Sequence, residues 1–236
     1  MTTDLVNNMD WRHDPRTEPP RQVTARTTEV IENCEEVIHL RRQQRLAPSA
    51  ASKHSVLVVR EGMLSIDVTL AKGQRQILDF LMPGDIVSLS APLSNPAVSL
   101  RAITSAALYP PVSSAFSNEK TIEVNDALRS RLHDQLTRAY AQQLMIGHLE
   151  TEARVASFLL AYASRRRGEP RPSQLLSLPM SRDDIADHLA MNRDTVSRIM
   201  MRFEALGLIQ RISRHEIRLI DIAALSQRSP ISHLIL

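Results

Sequence analysis

Two short amphipathic segments joined by a tight turn constrain the fold of this chain more than any other feature. Ser181 can cap a helix at the start of the first segment, 181–190 (SRDDIADHLA). Asn192 can cap the second, 193–206 (RDTVSRIMMRFEAL), and Gly207 is placed to end it. Two short helices connected in this way form a helix-turn-helix, which we therefore predict here.

The second segment has one apolar and one polar face. Its apolar residues recur at helical spacing and predict the buried side: Val196, Ile199, Met200 and Phe203. The polar residues of its first turn and a half are Arg193, Asp194, Ser197 and Arg198. A recognition helix enters the major groove of DNA by its N-terminal end, so these four are the predicted base-reading residues. An ordinary amphipathic hairpin would explain the periodicity but not the arginines at the start of the helix.

A short hairpin is predicted directly after the two helices. Residues 208–212 (LIQRI) and 216–220 (EIRLI) alternate in the manner of strands around a polar turn, 213–215, and predict a wing. Basic and hydroxyl side chains on the wing and at the helix starts suit phosphate oxygens, which position a protein without reading sequence. The predicted phosphate contacts are Ser181, Arg182, Thr195, Arg202, Arg211 and Arg214. Double-stranded DNA is the partner that this combination predicts.

Short β-prone runs occupy the first half of the chain. Gly62, Gly73 and Gly84 divide them at intervals of 11 residues. Evenly spaced strands with turn signals predict an antiparallel sandwich or roll over residues 31–120. Residues 1–30 are polar, contain several prolines and show no periodicity, so we predict a flexible N-terminal arm.

Two helices are predicted between the strands and the helix-turn-helix. Over 121–149 an apolar stripe recurs every four residues: Leu128, Leu132, Leu136, Tyr140 and Leu144. From the pattern alone, a helix lying on its own domain and a helix paired with a second chain are equally compatible. A second helix follows over 150–167, and its terminal arginines, 165–167, either face solvent or contact phosphate. Residues 168–177 are then predicted as a loop.

Composition narrows the function classes. Cys34 is the only cysteine, so by itself it makes no internal disulfide, thiolate zinc site or iron–sulfur site. No run approaches the roughly 18 apolar residues of a membrane span, and the start lacks the apolar centre of a secretory signal. We therefore expect a cytoplasmic protein with no membrane partner. We also expect no metal and no enzymatic activity, since no His-x-His pair of a cupin-like metal enzyme, Gly-x-Ser-x-Gly elbow or P-loop occurs.

Over roughly residues 35–225 the chain resembles the CRP/FNR superfamily of bacterial transcription regulators. The resemblance is strongest in 178–211 (LPMSRDDIADHLAMNRDTVSRIMMRFEALGLIQR). Three upstream stretches resemble the family's sensor roll: 60–62 (REG), 75–85 (RQILDFLMPGD) and 101–104 (RAIT). The resemblance implies an α+β fold with an N-terminal, cyclic-nucleotide-binding-like antiparallel β-roll. It further implies a long dimerisation helix over 121–149 and a C-terminal winged helix-turn-helix over 150–236.

The resemblance also implies a function. It favours the FNR/FixK-like branch without the cysteine cluster, a homodimer that pairs along the apolar stripe, and activation through contact with RNA polymerase. In the FNR branch a Glu, a Ser and an Arg read a TTGAT-type half-site, and by motif position these correspond to Asp194, Ser197 and Arg198. Arg193 occupies a position where the CRP branch also carries Arg. The implied operator is an inverted repeat with TTGAT-like or TGNGA-like half-sites.

The sensor half departs from the family's known chemistries. One cysteine argues against iron–sulfur, and residues 88–104 lack the Gly-Glu and Arg-Ser or Arg-Thr pairs of cyclic AMP binders. Arg101 looks like a strand residue of the roll instead of a phosphate-binding one. We expect an effector that is absent or unidentified, and no cofactor. The alternative is a regulator of the same family that senses haem or another small ligand, with candidate axial ligands His39, His54, His133 and His148.

Overall fold

A computed structural model describes residues 37–46, 56–88, 98–110, 119–167 and 172–235. The arm predicted over 1–30 lies outside these residues, as do Cys34 and His54.

The first half of the described chain is an antiparallel roll. Its strands are β1 (Ile38–Leu40), β2 (Val56–Glu61), β3 (Leu64–Thr69), β4 (Arg75–Leu81), β5 (Ile86–Ser88), β6 (Val98–Ala102) and β7 (Ala106–Tyr109). They form two sheets, in the orders β1-β7-β2-β5 and β4-β3-β6. The side chains packed between the sheets include Leu57, Leu64, Leu81, Leu100 and Leu108, each at most 1% exposed. This is the roll that the glycine-divided runs predict.

The turn between β2 and β3 depends on Gly62. Its φ is 82°, a left-handed conformation that side chains with a Cβ rarely adopt. A Cβ at this position would also overlap the carbonyl oxygen of Ser105. Glycine is therefore required here both by backbone conformation and by space.

Two helices connect the roll to the C-terminal half. They are α1 (Glu119–His148) and α2 (Thr151–Arg167). On α1, the Gln135 side-chain amide accepts from the Ile86 N–H at 3.1 Å and donates to the Ile86 carbonyl at 2.9 Å, which fixes α1 against the roll. Within the described ranges α1 is the longest helix, and neither it nor any other combines the length and the apolar run that crossing a bilayer requires.

The C-terminal half is a winged helix-turn-helix, as predicted. Its elements are β8 (Leu175–Ser177), α3 (Arg182–His188), α4 (Arg193–Ala205), β9 (Ile209–Arg211), β10 (Glu216–Leu219), α5 (Ile222–Gln227) and α6 (Ser232–Ile235). The wing is a three-stranded antiparallel sheet in the order β8-β10-β9. The loop predicted over 168–177 is wrong in its last three residues, which pair with β10 and bury Leu176 to 1% exposure. A three-residue strand has too little alternation to be recognised before its partner strand is in place.

The caps of α3 and α4 confirm the predicted helix starts. The Ser181 hydroxyl accepts from the Asp184 N–H at 3.1 Å, and the Asp184 carboxylate accepts from the Ser181 N–H at 2.9 Å, which completes a capping box. The Asn192 side chain accepts from the N–H groups of Asp194 and Thr195 at 2.9 and 3.3 Å. Local hydrogen bonds of this kind are encoded within four residues, which is why the sequence predicts them.

Candidate nucleic-acid interface

The N-terminal turn of α4 faces solvent while the rest of the helix is anchored. Four side chains pack it onto the protein, and all are at most 8% exposed: Val196, Ile199, Met200 and Phe203. Of the predicted base readers, Arg193, Asp194 and Arg198 are exposed, and Ser197 is half-buried. The structure thus brings the four predicted residues together on the accessible end of one rigidly packed helix.

The contacts that these side chains make within the protein are weak enough to be replaced by hydrogen bonds to a DNA base. Arg193 Nε lies 3.8 Å from Asp183 Oδ1, and both side chains are more than half exposed, at 64% and 59%. Arg198 Nη2 donates to Thr195 Oγ1 at 3.4 Å. Exposed ion pairs and long hydrogen bonds contribute little in water, so little is lost when a guanidinium turns toward a guanine.

The predicted phosphate contacts fall into two groups. Arg182, Arg211 and Arg214 lie at the start of α3 and along the wing. Burial lowers the pKa of the Arg182 guanidinium, and the nearby charge of Arg211 lowers it further. Two arginines that repel each other in the unbound protein concentrate positive potential, and an anion would relieve that repulsion.

Arg211 has a long ion pair, 3.9 Å from its Nη2 to Glu204, and the three other predicted phosphate contacts have closer partners within the protein. The Ser181 hydroxyl donates to Asp184 at 2.8 Å as part of the α3 cap. Thr195 accepts from Arg198, as given above, and Arg202 pairs with Glu152 of α2 at 2.8 Å. Arg202 also lies about 12 Å along the helix from Asp194 at 1.5 Å per residue. It therefore belongs to a different stretch of surface from the exposed first turn.

The apolar stripe of α1 is split between two surroundings. Leu132, Leu136, Tyr140 and Leu144 are 48%, 48%, 59% and 38% exposed. Leu128 instead packs against Val58, Ile86 and Tyr109 of the roll in the same chain. Leu128, the first residue of the stripe, thus lies on its own domain, which is one of the two alternatives left open by the sequence pattern, and the other four residues form an exposed apolar row.

The roll contacts the helix-turn-helix through ion pairs that the sequence analysis missed. Arg101 lies in β6 as a strand residue, as predicted, but it is only 5% exposed. Its Nη2 donates to Asp184 Oδ1 at 2.8 Å, and its Nε donates to Asp67 Oδ2 at 2.8 Å. Arg75 of β4 donates from Nη2 to the same Asp184 oxygen at 2.9 Å. Burial opposes ionisation of Asp184, but hydrogen bonds from Ser181 and the two guanidinium charges outweigh burial and lower the pKa of its carboxyl.

A buried contact between the roll, α2 and α3, which the sequence analysis also missed, surrounds His188 at the end of α3. The His188 ring lies 5.0 Å from that of Phe80 and 5.7 Å from that of Phe158, and the residue is 7% exposed. Its Nδ1 lies 3.2 Å from the Ile77 carbonyl oxygen. Burial lowers the pKa of His188 from 6.5 to about 4, so the imidazole is neutral at physiological pH.

The two predicted environments for the arginine run 165–167 are both wrong for Arg165. Arg165 Nη2 binds Asp85 of the roll, and Arg138 of α1 donates to the same carboxylate at 2.8 Å. Beside these pairs lies a cleft of about 900 Å³ between the roll, α1 and α2, lined in part by Phe158. The partners of Arg165 lie 80 or more positions away in sequence, so no local pattern could have indicated them.

The candidate haem ligands are not brought together. His39, His133 and His148 are exposed. Among the residues that the structure describes, no group of three or more His, Cys, Asp or Glu side chains is arranged to hold a metal ion. Neither observation singles out a haem ligand, and the expectation of no cofactor stays a prediction.

Both halves of the chain are similar to parts of known proteins. The profile of the Crp-like helix-turn-helix domain matches residues 153–228. The transcriptional regulatory protein btr of Bordetella pertussis is 32% identical over 177 residues, covering 73% of this chain and 72% of that protein. The nitrogen fixation regulation protein FixK of Rhizobium meliloti is 32% identical over 164 residues, covering 70% of this chain and 72% of that protein.

A solved structure extends the comparison to the fold. FixK2 from Bradyrhizobium japonicum is 25% identical, and its structure matches 82% of this chain and 96% of its own with a TM-score of 0.67. The match therefore includes the roll and α1 as well as the winged helix-turn-helix. It confirms the predicted α+β architecture.

Proposed function

This chain belongs to the CRP/FNR family of DNA-binding transcription regulators, in its FixK-like branch, and on that premise we propose that it binds an inverted-repeat operator as a homodimer. The observation that carries the proposal is the exposed first turn of α4, where Arg193, Asp194, Ser197 and Arg198 are presented together on a helix anchored by its other face. A major groove is wide enough to admit one helix in this orientation.

Each of these side chains has a hydrogen-bonding role in the proposed complex. Arg198 donates in bidentate fashion to the O6 and N7 atoms of a guanine, and Ser197 supplies a hydroxyl to either base of a pair. Asp194 accepts from a cytosine amino group, with a reach one methylene shorter than that of the Glu in the FNR branch. These roles support an operator with TTGAT-like or TGNGA-like half-sites.

The homodimer is supported by the exposed row on α1, which comprises Leu132, Leu136, Tyr140 and Leu144. Four large apolar side chains along an otherwise polar helix favour pairing with the same face of a second copy. A two-fold axis along α1 then presents two α4 helices to the DNA, and this symmetry selects a near-palindromic site.

Phosphate contacts complete the proposed interface. Arg182, Arg211 and Arg214 hold the DNA backbone through charge. The Thr195 hydroxyl, released when Arg198 turns to a base, lies at the helix start and bonds a phosphate there. Ser181 and Arg202 contribute only if they exchange their present partners, Asp184 and Glu152.

The remaining parts of the proposal follow from the family. Relatives include the transcriptional activatory protein AadR of Rhodopseudomonas palustris, which supports activation, and hence contact with RNA polymerase. Since the DNA partner of a bacterial regulator is cytoplasmic, so is the proposed site of action. The named relatives are regulators, which supports a role without enzymatic activity. The proposal includes no cofactor, and an effector that is absent or unidentified.

The decisive experiment is selection of bound sites from random double-stranded DNA by the purified full-length chain. We expect a near-palindrome whose half-sites are centred roughly 10 base pairs, one helical turn, apart. Selected sites without two-fold symmetry would contradict the dimer, and the absence of any enriched sequence would contradict specific recognition.

A second candidate is a ligand-sensing regulator of the same family, favoured by the cleft of about 900 Å³ between the roll, α1 and α2. A volume of this size accommodates a small organic ligand. Arg138 and Arg165, whose guanidinium groups pair with Asp85, are among the residues that line it. For haem, an absorption spectrum of the protein after incubation with hemin separates the two candidates. A Soret band shifted from that of free hemin, and abolished with a histidine substitution, favours the sensor.

A further inference from the structure

The first helix of the helix-turn-helix is held at its N-terminal end by the roll. Asp184 Oδ1 accepts from Arg101 Nη2 at 2.8 Å and from Arg75 Nη2 at 2.9 Å. Arg75 Nε also donates to Asp187, one helical turn further along α3, at 2.6 Å. Behind them, Asp67 of β3 accepts from Arg101 Nε. We call these five residues, Asp67, Arg75, Arg101, Asp184 and Asp187, the interdomain ion cluster.

The C-terminal end of the same helix is held as well. The carbonyl oxygen of His188 accepts from Gln76 of β4 at 3.3 Å and from Gln142 of α1 at 2.5 Å. The His188 ring packs on Phe80 of β4. With both ends of α3 attached to the roll, neither sliding nor pivoting of α3 is possible without breaking several contacts.

Burial makes the interdomain ion cluster costly to open. Arg101, Asp67 and Asp184 are 5%, 2% and 5% exposed. If α3 moved away with Asp184, Arg101 would stay in the roll with one of its carboxylate partners lost. Arg101 would keep Asp67, but Asp184 would lose both of its guanidinium partners. Charge-assisted hydrogen bonds are strong in a site that excludes water, so the attached arrangement is favoured over a detached one.

The position of α3 determines the position of the recognition helix. α3 and α4 share a core in which Ile185, Ala186, Val196 and Met200 are at most 3% exposed. α4 therefore moves with α3 and not independently of it. In a dimer paired along α1, the attachment of α3 to the roll sets the distance between the two α4 helices, and hence the separation of the half-sites that both can enter.

We propose that Arg101 is a positioning residue for DNA binding, which sets the half-site separation that the dimer accepts by holding Asp184 and Asp67 together. Arg101 lies in the roll and does not contact DNA. Arg75 supports the same attachment from the rim of the cluster, where its side chain is 30% exposed. The inference rests on the proposed function, because it requires a dimer that binds an inverted repeat.

The experiment compares affinity across operators of different spacing. The probes are fluorescent duplexes with two inverted TTGAT half-sites at the separation that the wild-type chain selects, or with the separation lengthened or shortened by one base pair. Dissociation constants are measured by fluorescence anisotropy for the wild-type chain and for Arg101→Met, Arg101→Lys and Arg75→Ala. Arg60→Ala, at an exposed position of the roll on β2, is the control.

We expect the wild-type chain and Arg60→Ala to bind the altered separations about tenfold or more weakly, whereas Arg101→Met binds all three duplexes within about threefold of each other. Its affinity for the preferred duplex falls about tenfold, since the competent orientation is only partly populated. Arg101→Lys restores part of the discrimination, because a lysine carries the charge but cannot bond two carboxylates with one rigid fork. For Arg75→Ala, we expect discrimination between the separations to be intermediate between that of Arg101→Met and that of the wild type.

A purely structural role would lower the melting temperature and leave the spacing preference unchanged. Circular dichroism melting therefore accompanies each measurement, and if Arg101→Met does not fold, Arg101→Lys and Arg75→Ala decide. If the folded variants keep the spacing preference of the wild type, the role of Arg101 is overturned but the proposed function is not. A wild-type chain that binds neither these duplexes nor any selected site would overturn the proposed function, and the inference with it.

Discussion

The imidazole of His188 lies 5.0 Å from the ring of Phe80, so a titratable side chain of the helix-turn-helix is buried against the roll. A neutral histidine is compatible with this apolar contact and a charged one is not. We therefore expect the junction between the two halves to be sensitive to pH, in the direction set by the lowered pKa of His188.

We predict that acidification destabilises the folded chain through His188. Its pKa is about 4 in the folded protein against an ordinary 6.5, so between these values the unfolded chain binds more protons than the folded one. The stability that depends on neutral His188 is complete above about pH 6.5 and is lost as the pH falls toward 4. From about pH 7.5 to 5, we expect the free energy of unfolding to fall by about 2 kcal/mol on this account.

Urea unfolding at the two pH values measures this difference, in the wild type and in two variants. His188→Gln is expected to lose this part of the pH dependence, whereas His133→Gln, at an exposed position, retains it. A pH dependence that is the same in all three proteins would contradict the assignment to His188.

We predict that Arg198→Ala weakens specific binding and leaves nonspecific binding nearly intact. Loss of a bidentate contact to guanine costs about 1–3 kcal/mol at the specific site, or roughly 5- to 150-fold in Kd. Competition titrations with the selected operator and with a scrambled duplex measure both affinities.

Arg214→Ala, at the exposed tip of the wing, is the matched control for the loss of one positive charge. It is expected to weaken both duplexes alike and to reduce the slope of log K against log salt by about 1. If Arg198→Ala lowers the affinity for the operator and for the scrambled duplex equally, Arg198 does not read a base.

We predict that Asp194→Glu changes the base preference of the half-site. The added methylene extends the carboxylate toward the base that the corresponding Glu contacts in the FNR branch. We expect discrimination at one base position to rise by about 1 kcal/mol, without a change at the positions assigned to Ser197 and Arg198. Parallel site selection with both proteins measures this, and identical selected sites would show that residue 194 reads no base.

We predict that Leu132→Glu combined with Leu136→Glu separates the dimer. Related by a two-fold axis, the new carboxylates would face each other in place of buried leucines, which disfavours association. Sedimentation velocity should show a monomer, and affinity for the full operator should fall at least about 100-fold toward that for one half-site. Ser130→Glu, an exposed position about 160° around the helix from Leu132 at 3.6 residues per turn, should remain dimeric.

A dimer that persists in the double variant would place the interface elsewhere on the chain. Substitution of Leu128, which belongs to the same stripe, is expected to have a different effect. Leu128 packs on Val58 and Ile86 of its own roll, so Leu128→Ala is expected to lower stability without dissociating the dimer.

Local features of this chain were predictable because their partners are close in sequence. Ser181 and Asp184 bond each other across three positions, and the Asn192 side chain accepts from the Asp194 N–H two positions on. The apolar face of α4 repeats within one helix. The same applies to the turn at Gly62, whose conformation depends on the residue type itself. These features suffice for the helix-turn-helix, for the predicted base-reading residues at its exposed end, and for β2, β3 and β4, the strands next to Gly62, Gly73 and Gly84.

The sequence by itself thus determined most of the elements and the exposed helix end that we propose meets DNA, whereas only the tertiary structure decided how the two halves are joined. Arg101 and Asp184 are 83 positions apart, and Arg165 and Asp85 are 80 apart. Their pairing depends on which faces of the roll and helices meet, and that is set by the burial of the common core. The same burial turned His188 from a polar helix residue into a neutral side chain packed against two aromatic rings, because desolvation acts only after distant segments have come together.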